Sequence, residues 1–486
     1  MDNSANFETA ADIETTNGII YGDIARSNLT MDFTNVNSLT SAQIMKLVKW
    51  HKENKLPRYV YLENYYDGQN EKIMLRKMED KTKPNNKIVN NYPQYIVDTA
   101  QGFFMGKPVA YNYPDDKTDD LFSAILKKNN ETAHNATLSL YNGIYGDAFE
   151  LHYMNENSEP CFDAINPKEF LPIYTNKIRP TIGLGIRHFN DVDPFTNKTT
   201  LNVELYWPDR TEYYKKVGNT LVLQETETKP NPFGKVNVVH FRNNEKCFGD
   251  FERIITLIDD YDLRISDHSN EQDFSRNAYL LLSGFDMTNP ENQALFKKMK
   301  ELGAFGLPEG ADIKYLIKEL NDTFGQNHLT EIKKNIHKFS MIPDLSDEQF
   351  AGNLSGVALG YKLWGLEQLA GKKEQQFKKG LMDRFELLAT VLKIKNKETS
   401  IANIEINFTR NIPQNVKEIV ETIVALKSAN LIDDEKLVAQ LPFIDDPSKA
   451  VEDMQKQKDT NIENTKKLTG TTTGNTQGNA TTQTEE

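Results

Sequence analysis

The sequence lacks the usual marks of a secreted, membrane-spanning or catalytic protein. It holds only two cysteines, Cys161 and Cys247, far apart and outside any CxxC or Cys/His cluster. They read as reduced thiols of a cytosolic chain, not as a disulfide framework. Met1 to Glu14 is polar and acidic, without the apolar stretch of a secretory signal. No 18 apolar residues run together, so no transmembrane helix and no membrane partner are expected. Eight histidines are scattered, and there is no HExxH, no GxSxG and no triad-like grouping. Gly102-Phe103-Phe104-Met105-Gly106-Lys107 is one residue short of a phosphate loop. Pro108 stands where the Mg²⁺-holding Ser/Thr would be and blocks a following helix. Gly183-Leu184-Gly185 has no third glycine and opens no helix. No cofactor is expected. The formal charge of −13 excludes a generic nucleic-acid binder but not a surface that guides DNA without gripping it.

What is present is a real core. Hydrophobic residues make up 38% and aromatics 10%, and the length suggests about three domains of mixed α+β class. Residues 1–33 read as a flexible arm. Ser41 to Lys55 has helical spacing at Ile44, Leu47 and Val48, and Pro57 follows its charged end. Pro93 opens a second helix carrying Ile96, Ala100 and Phe103, stopped by Gly106 and Pro108, after which Val109-Ala110-Tyr111 is extended. Leu138 onward is a helix broken at Gly143 or Gly146, then a strand over Ala148 to Tyr153. Cys161 to Val239 alternates like an antiparallel meander, with turns at Pro208-Asp209 and Gly218-Asn219.

From Gly249 the pattern becomes helical, with Phe251, Ile254, Ile255, Ile258, Tyr261 and Ile265 on one face. Asp259, Asp260, Asp262 and Asp267 point elsewhere and read as a solvated acidic face. Adjacent carboxylates on a helix diverge by about 100°, so they converge poorly on one ion and no metal is expected. Between about Asn270 and Asp322 lies a small insert: a strand at Tyr279–Leu282, a helix at Glu291–Leu302 and a strand at Ile313–Leu320.

The most distinctive stretch is His328 to Lys395. A short amphipathic helix (Leu329, Ile332, Ile336, Phe339) carries Lys333, Lys334 and Lys338. A polar break follows, containing Asp344, Asp347, Glu348, Gln349 and Asn353 and no lysine or arginine. Gly352, Gly356 and Gly360 then recur every fourth residue and open a run to Lys395, roughly 58 Å long if unbroken. Their spacing permits close backbone approach or bending, and Gly365, Gly371 and Gly380 predict a kink. Lys372, Lys373, Lys378 and Lys379, mixed with Glu367 and Glu374, read as solvated surface. Asn415–Ala429 and Asp433–Gln440 form a helical pair. From Lys466 the composition is Thr/Gly/Asn/Gln-rich, as in disordered segments.

Four segments in this order resemble the portal proteins of tailed bacteriophages, of the type found in long-tailed phages of Gram-positive hosts. They are Asn90-Asn91-Tyr92 through Val109, Gly143 through Glu150 leading to Ile165-Asn166-Pro167, Gly249-Asp250-Phe251-Glu252 through Tyr261, and Asn411 through Asn415 leading to Leu441–Asp446. Together they cover about Lys87 to Asp446.

The resemblance implies a portal fold with an N-terminal arm (1–33), a β-rich wing (34–248), a stem helix (249–270) and a small α/β clip (271–322). A second stem helix (323–342), a tunnel loop (343–356), a long kinked channel-to-wing helix (357–400), a helical crown (401–452) and a disordered tail (453–486) would follow. It implies a dodecameric ring at one capsid vertex of the virion, assembled in the host cytoplasm, with a channel for double-stranded DNA packaging and ejection. It implies terminase, scaffold, major capsid and head-completion or adaptor proteins as partners, and no enzymatic activity. Asp344, Asp347, Glu348, Gln349 and Asn353 would face DNA from the tunnel loop. Asp259, Asp260, Lys333, Lys334 and Lys338 would line the stem or channel, and Gly352, Gly356 and Gly360 would let the helix bend. The alternative is a phage-associated Mg²⁺-dependent nucleic-acid enzyme using the acidic helix at 259–262.

Overall fold

The structure is a computed structural model. It describes residues 26–469 apart from 82, 277–278, 284–285, 287, 303–311, 317–321, 347–355, 398, 413–415, 430, 439 and 442–446. The chain forms two compact units, residues 1–411 and 412–486.

The first unit opens with β1 (Leu29–Met31), α1 (Ser41–Asn54), α2 (Leu56–Tyr66) and the one-turn α3 (Glu71–Met74). Thr40 caps α1 in a capping box with Gln43, the side-chain arrangement that fixes a helix start. Pro57 does not end the helical region. It sits in the first turn of α2, where its missing N–H costs nothing. Next come α4 (Tyr92–Met105), β2 (Ala110–Asn112), α5 (Asp116–Lys128) and α6 (Glu131–Tyr145). Asn91 caps α4 through its side chain. Gly146, at φ +82°, ends α6 in the left-handed conformation and turns the chain into a strand.

The β region runs through β3 (Asp147–Met154), β4 (Pro160–Ile165), β5 (Phe170–Thr175), β6 (Ile182–Val192), β7 (Thr199–Tyr206), β8 (Arg210–Val217), β9 (Thr220–Leu223), β10 (Lys229–Pro230) and β11 (Val238–Arg242). A seven-stranded sheet has the order β1-β5-β6-β7-β8-β10, with β9 also on β8, and its meander is antiparallel as predicted. β1 joins it parallel to β5, so the end of the expected flexible arm is a sheet edge. The inward residues of this sheet, among them Leu171, Ile186, Val203 and Leu205, pack against Ile44, Leu47 and Val48 of α1. A three-stranded sheet has the order β11-β3-β4.

Then follow α7 (Ile255–Arg276), β12 (Tyr279–Ser283), α8 (Pro290–Leu302), β13 (Asp312–Leu316), α9 (Asp322–Ser340), α10 (Gly356–Lys362), α11 (Trp364–Ile394) and β14 (Glu405–Asn407). β12 and β13 form a two-stranded antiparallel sheet, matching the predicted insert, and β14 pairs with β2. The buried stripe of α11, including Leu366, Phe377, Leu381, Phe385 and Leu388, packs on α4 and β11. Phe377 lies 4.8 Å from the Phe241 ring and 5.8 Å from Phe104.

The second unit holds α12 (Val416–Ser428), α13 (Asp434–Val438) and α14 (Pro447–Thr469). α14 corrects the expectation of a disordered tail from residue 453. Its polar sequence is a good helix former, and α13 packs against it. Residues 470–486 lie outside the described residues.

Candidate functional site

The region to which the sequence assigns function is built on the antiparallel helices α7 and α9. Ile258 of α7 and Leu329, Ile332 and Ile336 of α9 are buried. The acidic residues of α7 do not form one solvated face. Asp262 is fully buried and Asp259 is 5% exposed. Tyr65 donates its hydroxyl to Asp259 Oδ1 at 2.6 Å. Asn70 Nδ2 donates to Asp259 Oδ1 at 3.2 Å and to Asp262 Oδ2 at 3.0 Å. The Asn90 backbone N–H reaches Asp262 Oδ1 at 2.8 Å.

The same face continues along α7. Ser266 Oγ accepts the Ile88 N–H at 3.0 Å, and Asn270 Oδ1 accepts the Asn86 N–H at 2.6 Å. The segment 85–91 has no regular structure, so its backbone donors need partners, and α7 supplies them. Burial pushes the Asp262 carboxyl up against the opposing pull of Asn90 and Asn70. The signal was present in the sequence: Asp262, Ser266, Asn270 and Asp273 repeat at helical spacing along one flank of the apolar stripe.

Asp260 points the other way, 3.2 Å from Arg264 Nε and 3.4 Å from His328. Asp259, Asp260 and Asp262 therefore do not converge on one point, and two of them are spent on hydrogen bonds. This removes the geometric basis of the Mg²⁺-enzyme alternative. It also corrects Asp259 as a lining residue, since within the protomer it is covered.

One other group of possible ligands occurs among the described residues. Donor atoms of Asp147, His240 and Cys247 lie within 4.8 Å of one another. Asp147 already accepts from His240 Nε2 at 2.9 Å and Tyr59 at 2.8 Å, with buried Lys55 and Arg58 beside it. Two buried cations balance that carboxylate, so the cluster is an internal ion network with little attraction for a further cation.

At the C-terminal end of α9, Met341 takes φ +63° and turns the chain. The loop root 342–346 is then fastened down. Lys333 Nζ lies 2.7 Å from Asp344 Oδ2. His337 donates from Nδ1 to the Ile342 carbonyl at 3.1 Å, and its ring meets Tyr92 and Tyr95 edge-on, each at 5.9 Å. Tyr95 donates to the Pro343 carbonyl at 2.8 Å and accepts the Leu345 N–H at 3.0 Å. Ser346 donates to Asp344 Oδ1 through its N–H at 3.1 Å and its hydroxyl at 2.6 Å. Partial burial works against the Asp344 carboxylate. Lys333, Ser346 and His337 outweigh it and hold the carboxyl down at about 2.

The three lysines of α9 thus divide. Lys333 is committed to Asp344, whereas Lys334 and Lys338 are exposed, Lys338 above the Phe339 ring at 5.5 Å. Asp347, Glu348, Gln349, Gly352 and Asn353 lie outside the described residues.

The long helix is interrupted at Leu363, whose φ of −87° and ψ of 0° separate α10 from α11. Gly360 meets nothing: a side chain built there has no atom within 4 Å. The close approach falls at Gly365, whose built side chain comes 3.3 Å from the Met341 carbonyl. Gly356 is the first residue of α10. Lys373, expected at the surface, is buried on Asp250 at 2.6 Å, whereas Lys378 pairs with Glu374 at 2.8 Å near the surface.

The order of elements, two antiparallel helices flanking a small insert and then a long interrupted helix, can be set against known proteins. Residues 46–464 match the family model described as phage portal protein, SPP1 Gp6-like. The chain belongs to this family of phage portal proteins. It is 25% identical over 441 residues to the portal protein of Bacillus phage SPP1, covering 84% of each chain. It is 24% identical over 383 residues to the portal protein of Clostridium phage phiCD119, covering 75% of this chain and 83% of that one. Solved structures with which it aligns are titled "Neck of empty GTA particle computed with C6 symmetry" and "Virion of native gene transfer agent (GTA) particle". The first gives a TM-score of 0.44 and 11% identity over 71% of this chain and 89% of that chain. The second gives 0.43 and 11% over 79% and 92%. As a member of the portal family, the chain is a structural head–tail connector and virion component, not an enzyme. Among its described residues no helix is long and apolar enough to cross a membrane.

Proposed function

We propose that this chain assembles as a closed dodecameric ring at one capsid vertex, with a central channel through which double-stranded DNA is packaged and ejected. The observation that carries this reading is the family match across residues 46–464. In it α7 and α9 serve as stem helices and the β12–α8–β13 insert as the clip. The seven-stranded sheet belongs to the wing, residues 343–356 are the tunnel loop, and the second unit belongs to the crown. Terminase, scaffold, major capsid and head-completion proteins are the partners, with ATP hydrolysis supplied by the terminase.

Two features of the fold support this. A two-stranded sheet is marginal alone and gains from neighbours that extend it. Phe339, Met341, Leu345, Val357, Tyr361 and Trp364 are exposed in the protomer, an apolar set of the kind that marks interaction surfaces. A ring of copies joined head to tail would cover such surfaces. Under this stoichiometry the ring carries a charge of about −150 (about 12 × −13), which discourages tight adhesion to DNA. Asp344 adds little to that field, because Lys333 neutralises it. Asp347, Glu348, Gln349 and Asn353 remain as DNA-facing candidates, with Asp260, Lys334 and Lys338 as exposed channel candidates.

Negative-stain microscopy of the purified chain tests the reading. Closed rings with a central hole are expected; monomers under all conditions would refute it. Deleting residues 347–353 should leave rings intact and impair DNA packaging. Normal packaging by that variant would remove the loop from the DNA path.

A further inference from the structure

We propose that residues 1–25 dock on the exposed apolar and basic face formed where the end of α9 meets the start of α11. Phe339, Met341 and Val357 are exposed there, with Tyr361 80% and Trp364 62% exposed. Val357, Tyr361 and Trp364 recur at helical spacing, so they form one stripe that runs from α10 into α11. The stripe abuts the end of α9, because a side chain built at Gly365 comes 3.3 Å from the Met341 carbonyl. Two cations flank it. Lys334 and Lys338 are exposed one turn apart on α9, and Lys338 Nζ lies 5.5 Å above the exposed Phe339 ring. Two acids beside it are already engaged, Asp344 with Lys333 and Glu367 with Arg410. A face that is apolar at its centre and positive at its rim fits an acidic segment with apolar side chains and disfavours a basic one.

The N-terminal segment has that chemistry and starts in the right place. Residues 1–25 carry Asp2, Glu8, Asp12, Glu14 and Asp23 and no lysine or arginine. Phe7, Ile13, Ile19, Ile20, Tyr21 and Ile24 supply the apolar side chains. Arg26, the first described residue, is pinned: its Nη1 lies 3.6 Å from Glu252 Oε1, and its guanidinium sits 4.3 Å over the Phe248 ring. The turn Glu252–Ile254 packs on α9. His328 of α9 faces Asp260 of α7 at 3.4 Å, so in this antiparallel pair the turn before α7 lies towards the end of α9 that carries Phe339. The segment therefore leaves the described fold beside the face. Fully extended it spans about 80 Å, so it reaches the face of its own copy with chain to spare. The ring proposed above covers the same residues with a neighbouring copy. Docking is a property of the single chain and does not rest on that reading. In the free chain it shields a face that assembly then uses.

Hydroxyl-radical labelling of the full-length purified chain, read at Tyr361 and Trp364 beside a variant lacking residues 2–25, tests this. Protection scales as one plus the docking constant, so a docked-to-free ratio of about two makes labelling rise about threefold when the segment is removed. Lys334→Glu with Lys338→Glu should raise labelling in the same direction. Adding Glu8→Lys, Asp12→Lys and Glu14→Lys to that variant should restore protection. Phe195, 94% exposed on the loop after β6, should label equally in every chain, and buried Phe241 in none, which reports that each variant is folded. Equal labelling of Tyr361 and Trp364 with and without the segment would overturn the proposal. If both are then protected, a neighbouring copy covers the face; if both are fully labelled, the face is open. Protection lost in the lysine variant and not restored by the reversed segment would also overturn it. Sedimentation of the same samples records ring formation separately, so an absence of rings bears on the ring and not on docking.

Discussion

Lys373 and Asp250 form a buried ion pair that ties the long helix α11 to the start of the α7 region. Nζ lies 2.6 Å from Oδ2. Asp250 is held from two further sides. Its N–H donates to the Gly143 carbonyl at 2.8 Å, and Asn243 Nδ2 donates to its Oδ1 at 2.8 Å. Lys373→Met would leave that carboxylate buried without its counter-ion. A loss of about 3–5 kcal/mol is expected in chemical unfolding, and adding Asp250→Asn should recover part of it. A loss below about 1 kcal/mol would mean that water replaces the lysine.

A second buried charge centre lies further along α11. Arg384 Nη2 lies 2.6 Å from Glu150 Oε2, and His134 and His152 each donate from Nε2 to that carboxylate at 2.7 Å. Burial alone would push the Glu150 carboxyl up, but Arg384 and the two histidines hold it well below its ordinary value of 4.5. A depressed carboxyl contributes stability that is present above the unfolded value and lost as pH falls through the folded one. Arg384→Met should cost about 3–5 kcal/mol at neutral pH. It should also invert the slope, because an uncompensated buried carboxyl is relieved by protonation. Melting between pH 7 and pH 5 should therefore show the variant gaining stability relative to the parent chain.

Much of the scaffold was legible in the sequence because periodicity reports which face of an element is buried. The alternation through β7, β8 and β9 and the apolar stripes of α7 and α11 are such signals. Periodicity does not report what a buried polar group touches. Asp262 and Asp260, two residues apart, read alike as acids, yet one receives the Asn90 N–H from a distant irregular segment and the other faces Arg264. Lys373 and Lys372 read alike as surface lysines, yet only Lys373 meets the buried Asp250. Pro57 follows the charged end of α1, and because proline can close one helix or open another, only the packing of α2 shows that it opens one. The loop root escaped notice for a similar reason: its anchor, Tyr95, is about 250 residues away from Leu345.

His51 and His188 join α1 to β6, with Nδ1 and Nε2 2.8 Å apart. One ring must donate and the other accept, so the pair cannot be doubly protonated. Burial, helped by Lys52, takes His188 down to about 4, and burial with His188, Lys55 and Lys52 takes His51 well below 6.5. The unfolded chain binds protons first as pH falls, so this stability is present above 6.5 and drains away towards 4. His188 alone contributes on the order of 3 kcal/mol across that window, at about 1.4 kcal/mol per pH unit. Replacing both by glutamine should flatten the fall in melting temperature between pH 6.5 and pH 4.5. An unchanged slope would place the acid sensitivity elsewhere.

Gly146 and Gly360 separate a glycine the fold requires from one it does not. At Gly146 the backbone is at φ +82°, and an added side chain would lie 2.0 Å from the Cys247 carbonyl oxygen. Gly146→Ala should therefore cost several kcal/mol or prevent folding, about as expected when a strained backbone also clashes. At Gly360, in the interior of α10, an added side chain meets no atom within 4 Å. Alanine there removes backbone freedom from the unfolded chain and should stabilise the protomer by up to about 1 kcal/mol. Ring formation gives the same substitution a second reading. If Gly360 lets a neighbouring copy approach its backbone, Gly360→Ala will raise the melting temperature of the protomer and weaken assembly at the same time. Sedimentation of the variant alongside its melting curve distinguishes the cases: stabilised and still ring-forming means the glycine serves the bend or nothing, and stabilised but dissociated means that the contact lies between copies.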